Sequence, residues 1–399
     1  MRQLRFLLGQ RFPIQISTHA IVDFNGRLKM NRMDEKYKLA DAIHSLRWLV
    51  REPSVVGTED AFFRVLRREF DELPVTVQRF HGLLVVQGSK PDSMYLSAHA
   101  DRNGLLCTGP NEFQYAAFLA ANRGELDGDS ISEQFMETIS NRFHGQRVQA
   151  HLPYAGSYLG QGLIERAFVC PSRKNLIFEI DGLEFLQPGT PVSFVDRLVV
   201  NNGKLSAQLD NVIMVMVILH LFRLGYQGTA LFAAGEEAGR SWRYLVEWFL
   251  RSNCKTDRLL VLDTSPFPEE VVGNQQVVLR NCDANGSFDP VTTQQLRERC
   301  ERLEISFCFK DEYISQLNRN REKPMSLGRT ELGRIITATN GEISGTTLQL
   351  PTSSYHTAQE TASIESLSAM LRLLCDLAIP SFSRSPRRST NLSQGSTKS

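Results

Sequence analysis

The feature that most constrains this chain is an alternation of apolar helix and short apolar strand that runs through its C-terminal half. Residues 209–224 read as an apolar helix, 229–234 as a strand, 242–250 as a helix and 259–263 as a strand. Further strands are expected at 277–279, 305–309 and 346–350, with helices near 290–303, 328–340 and 364–377. Such alternation folds into an α/β sheet sandwiched by helices. Upstream, apolar residues at helical spacing mark 36–72, followed by strand-like runs at 75–80, 83–87 and 95–99. Residues 105–200 have a different character. Polar loops, glycines and short alternating segments there predict an inserted β-rich domain.

In sheets of this kind, ligands sit at the carboxyl ends of the strands. The residues found there are informative. His99 and Asp101 follow one strand, Glu236 and Glu237 a second, Asp263 a third, and His356 lies in the loop after a fourth. Asp210 precedes the most apolar helix. Any one of these is ordinary as a cap or a solvated residue; their recurrence on successive strands is not. Adjacent acids after an apolar strand repel one another unless a cation or a proton relieves them. Two imidazoles with several carboxylates suit a pair of divalent cations, zinc, cobalt or manganese. The spare carboxylate would serve as a base. Asp101 is expected to hydrogen-bond the second ring nitrogen of His99 and set its tautomer.

Five segments carry a family resemblance: Ser97-Ala98-His99-Ala100-Asp101, Leu209-Asp210-Asn211, Ala234-Gly235-Glu236-Glu237-Ala238-Gly239, Val261-Leu262-Asp263-Thr264 and Tyr355-His356-Thr357. Together they resemble metallopeptidase family 42, the glutamyl and deblocking aminopeptidases. The β-rich insertion between His99 and Asp210 falls where that family inserts its second domain. The resemblance implies a mixed β-sheet sandwiched by helices, the zinc-peptidase-like phosphorylase/hydrolase fold, with a small inserted β-barrel-like domain. It implies two divalent metal ions per subunit, with Asp210 bridging, His99 and Asp263 at one site, and Glu237 and His356 at the other. Glu236, with Asp101 beside it, would be catalytic, drawing a proton from a metal-bridging water and returning it to the leaving amine. The implied activity is removal of N-terminal residues from peptides by a homo-oligomer, anything from a dimer to a dodecamer. The alternatives are a deacylase or carboxypeptidase of the same clan acting on a small amide, or a non-catalytic scaffold. The chain departs from the family at Val212 after Asn211, at Ser353-Ser354, and at Arg329-Thr330-Glu331.

The net charge of +1 is unevenly spread: residues 1–33 carry +5, residues 380–399 carry +4 and the remainder −8. We therefore expect a poorly ordered basic extension over 1–33 and a disordered basic, Ser-rich tail over 380–399. The catalytic domain is expected over 34–104 and 201–379, with the insertion at 105–200. The near-neutral total argues against a nucleic-acid partner. No apolar run reaches the roughly 18–20 residues that would make the chain a membrane protein. Seven cysteines without a C-x-x-C spacing read as reduced thiols in the cytoplasm. His220 is expected in the core, and His144 and His151 on the surface. Cys107 has no specific partner for nucleophilic chemistry. Arg240 and Trp242 either line the substrate channel or are structural.

Overall fold

A computed structural model describes residues 35–120, 133–172 and 175–383. The basic extension at 1–33 and most of the basic tail, from 384 onward, lie outside the described residues. The first strands are β1 (Thr76–Phe80), β2 (Leu83–Gln87) and β3 (Tyr95–His99). Next come β4 (Leu105–Gly109), β5 (Glu112–Tyr115), β6 (Arg147–His151), β7 (Tyr158–Val169), β8 (Leu176–Asp181) and β9 (Pro191–Phe194), which close into a barrel in the order β4-β5-β8-β7-β6-β9. Then follow β10 (Val199–Asn201), β11 (Lys204–Ser206), β12 (Thr229–Ala233), β13 (Thr256–Pro266), β14 (Val277–Leu279), β15 (Phe307–Phe309), β16 (Ile343–Thr352) and β17 (Thr361–Ser363).

The main sheet has eight strands in the order β1-β2-β12-β3-β13-β16-β14-β15. Its central four, β12, β3, β13 and β16, pair in parallel, while β1, β2 and β14 bring antiparallel pairings. The sheet is thus mixed, flanked by helices, and carries the inserted barrel. Every residue of β3 and β12 is buried, as expected for strands covered on both faces. Helix Val212–Arg223 is buried at every position except Arg223, which explains why its sequence is apolar all round. Helices Leu39–Leu49 and Ile364–Ala378 pack with it into the larger core, and Ser241–Arg251 and Glu331–Ala338 cover the opposite face. Ser363 caps the Ile364 helix by accepting the N–H groups of Glu365 and Ser366.

The barrel has its own core of Phe113, Phe143, Phe178 and Phe194. Phe143 comes from helix Glu133–Phe143, which periodicity in the insertion had not revealed. His220 is buried, and its Nε2 lies 2.8 Å from the Tyr37 carbonyl oxygen. His151 departs from the surface expectation: it is 5% exposed, with its ring against that of Tyr158. Cys107 is also buried, with its Sγ donating to backbone oxygens of Gly109 and Leu186. All seven cysteines are free. Pro380–Ser383, the first residues of the tail, form a helical turn whose Phe382 stacks on Tyr37. Among the described residues, no helix is long and apolar enough to cross a membrane.

Candidate metal centre

Register explains how distant residues meet. Ala233 of β12 pairs with His99 of β3, so Glu236 and Glu237 emerge just beyond that histidine. Val261 of β13 pairs with Ser97, which brings Asp263, two residues on, level with His99. His356 arrives from the loop after β16, and Asp210 from the segment that leads into helix Val212–Arg223.

Two sets of donors result among the described residues: His99, Asp210 and Asp263; and Asp210, Glu237 and His356. In each set the donor atoms lie within 4.8 Å of one another. His99 Nε2 is 3.2 Å from Asp210 Oδ1 and 3.6 Å from Asp263 Oδ1. His356 Nε2 is 2.9 Å from Asp210 Oδ2 and 3.3 Å from Glu237 Oε1. Asp210 is thus common to both sets and offers one oxygen to each.

Electrostatics follow from burial and proximity. Burial alone would depress His99, but Asp101, Asp210 and Asp263 outweigh it and hold the ring well above its ordinary range. Burial would raise Asp210, yet His356 and His99 bring it down. Burial raises Glu236 to about 8, with His99 opposing and Asp263 adding. Glu237 is raised well above the usual carboxylate range by burial and by Asp210.

The residues fit divalent cations. Three carboxylates and two imidazoles make up the two donor sets, and Asp210 belongs to both. Oxygen and nitrogen donors at this density are the usual ligand chemistry of such ions.

Several neighbouring residues had no signal in the sequence. Asn103 donates from Nδ2 to Glu237 Oε1 at 2.7 Å and accepts from the Tyr115 hydroxyl. Glu360 is fully buried, and its Oε2 accepts the N–H groups of Leu209 and Asp210 at 3.1 and 2.9 Å. Glu59 accepts from Gly57 and Gly235. Gly235 has φ of 73°, the left-handed region that glycine enters freely, so the acidic pair can turn back towards the cluster. Arg142 reaches over from the insertion, with its Nη1 3.3 Å from His356 Nδ1.

Asp101 lies beside His99, as expected. Its carboxylate is 3.6 Å from His99 Nδ1, whereas the Asp101 backbone oxygen lies at 3.1 Å. The carboxylate also accepts the backbone N–H groups of Glu236 and Glu237. A cavity of about 380 Å³ opens beside the cluster, lined by Glu236, Glu237, His356 and Trp242 among others. Arg240 serves the turn, donating its backbone N–H to Gly235 O.

No family model matches the chain, and no curated protein does. Solved structures do. A TET aminopeptidase from the marine sediment archaeon Thaumarchaeota archaeon superposes with a TM-score of 0.63 at 14% identity, over 86% of this chain and 96% of that one. The Pyrococcus horikoshii TET1 peptidase, which can assemble into a tetrahedron or a large octahedral shell, gives 0.59 at 18% identity over 85% and 99%. An endoglucanase structure from Thermotoga maritima gives 0.57 at 14% over 84% and 96%. At such identities the likeness establishes the fold: the resemblance to metallopeptidase family 42 extends from five short motifs to the architecture of the whole described chain.

Proposed function

We propose that the protein is a dinuclear metal-dependent aminopeptidase that removes N-terminal residues from peptides. The observation that carries this reading is Asp210 shared between two donor sets, each completed by one histidine and one further acid. His99 and Asp263 would hold one divalent ion, zinc, cobalt or manganese, and Glu237 and His356 the other. When bound, such ions polarise a carbonyl and make water a stronger acid.

The chain's own residues supply the rest. Glu236 lines the cavity and is the one acid of the 236–237 pair outside the two donor sets. It takes the proton of the attacking water and delivers it to the leaving amine. Asn103 fixes the Glu237 carboxylate, and Asp101 fixes the backbone that carries both glutamates. Trp242 and Tyr355 help wall the cavity and exclude water. The solved structures that share this fold include homo-oligomeric peptidases, which supports a homo-oligomer here as well. The site belongs in a cytoplasmic enzyme, given the free cysteines.

The test is a peptide-library digest with Co²⁺, Zn²⁺ and Mn²⁺ in parallel, alongside metal analysis of the purified protein. Metal-stimulated loss of N-terminal residues supports the reading. Cleavage of N-acyl amino acids alone would move it to a deacylase, and less than about one equivalent of metal with no stimulated hydrolysis would overturn it.

A further inference from the structure

The two histidines of the metal centre differ in what lies behind them. Each turns Nε2 towards the carboxylates: His99 to Asp210 and Asp263, His356 to Asp210 and Glu237. A neutral imidazole has one lone pair, so a ring that gives it to a cation at Nε2 carries its hydrogen on Nδ1. That hydrogen needs an acceptor, and metal-ligating histidines almost always have one.

His99 has its acceptor. The Asp101 backbone oxygen lies 3.1 Å from Nδ1, with the Asp101 carboxylate at 3.6 Å. His356 has the opposite. Its Nδ1 meets the Arg142 guanidinium, with Nη1 at 3.3 Å. A guanidinium only donates. The pairing is satisfied when Nδ1 accepts from Arg142 and Nε2 donates to Asp210 Oδ2 at 2.9 Å. In that form the ring has no lone pair for a cation at Nε2. Glu237 is not blocked in this way: its Oε1 accepts from Asn103 at 2.7 Å, and a carboxylate keeps lone pairs to spare. Arg142 is firmly carried. It lies in the last turn of helix Glu133–Phe143, and the next residue, Phe143, stacks on Phe194 in the barrel core. Its positive charge also repels a cation held beside that ring.

We propose that Arg142, supplied by the insertion, holds the second donor set closed to metal. The protein then loads its two ions in unequal steps. The His99 set fills first, and the His356 set fills only when Arg142 moves aside and leaves Nδ1 free to carry its hydrogen. This rests on the dinuclear reading above and gives the insertion a part in metal loading.

The experiment titrates the chelator-stripped, full-length protein with Zn²⁺ in a calorimeter. Expected are two steps, the weaker of them lost in His356→Gln. Arg142→Ala removes the donor and the charge and should tighten the weaker step about tenfold. Arg142→Glu puts an acceptor at Nδ1 and should tighten it by about 10–100-fold. Arg142→Lys keeps a charged donor and should stay at the wild-type value. The tighter step should be the same in all three Arg142 variants, which also shows that they fold. A wild-type protein that takes one ion, with the second appearing in Arg142→Glu, supports the proposal as well. Two steps that no Arg142 variant moves overturn it and leave the dinuclear reading standing. One ion in every variant overturns it, and zinc bound by none of the proteins overturns the dinuclear reading with it.

Discussion

The Asp101 carboxylate accepts the backbone N–H of Glu236 at 2.9 Å, and its second oxygen accepts that of Glu237 at 3.0 Å. One side chain thereby ties the end of β3 to the acidic turn after β12. Charge-assisted bonds of this kind are the stronger class. Asp101→Asn keeps one acceptor but turns an NH₂ group towards an amide N–H. We expect metal affinity and turnover to fall together, about 10–100-fold. Metal titration beside steady-state kinetics checks this, and unchanged affinity would count against the positioning role.

Glu360 plays the corresponding part for Asp210. Its carboxylate accepts two backbone N–H groups, and its other oxygen accepts Thr352 Oγ1 at 2.8 Å. Glu360→Ala strands three buried donors and should cost about 3–5 kcal/mol of stability. Glu360→Gln retains an acceptor for the amides and should cost less than about 1.5 kcal/mol. Urea unfolding of the two variants measures the difference; equal losses would mean that packing, not hydrogen bonding, explains the residue.

His151 gives the stability a pH dependence. Burial, with Arg102 adding to it, lowers the ring from 6.5 to about 4. Between those values the unfolded chain takes up a proton that the folded chain refuses. The contribution is complete above pH 6.5 and is lost as pH falls towards about 4, by about 3 kcal/mol. His151→Gln should flatten that slope. Urea midpoints near neutrality and at about pH 4.5 for both proteins check it; parallel losses would show that other groups set the acid sensitivity.

What could be read from the sequence follows from geometry. Parallel strands deliver their carboxyl ends to one edge, so His99, Glu236, Glu237, Asp263 and His356 were visible as polar residues after apolar runs. The alternation of helix and strand made the sheet legible for the same reason. Glu59, Asn103 and Glu360 were not visible, because they bond to the backbone or to ligands more than 100 residues away in sequence. Helix Glu133–Phe143 was missed because only Met136, Ile139 and Phe143 of it are buried, too sparse a stripe amid polar residues. The burial of His151 was not legible because nothing in its own segment shows what covers it. Asp101 was visible beside His99, but its bonds to the backbone of Glu236 and Glu237 were not, because they come from a turn more than 100 residues away in sequence.

The most direct test of the account is Glu236→Gln. The substitution preserves shape and leaves both donor sets intact, but it removes the group that moves the proton. The metal content should match the wild type, while kcat on an aminoacyl peptide falls by about 10²–10⁴-fold. A variant that holds metal and cleaves at the wild-type rate would contradict the assignment of Glu236, and with it the mechanism proposed for this site.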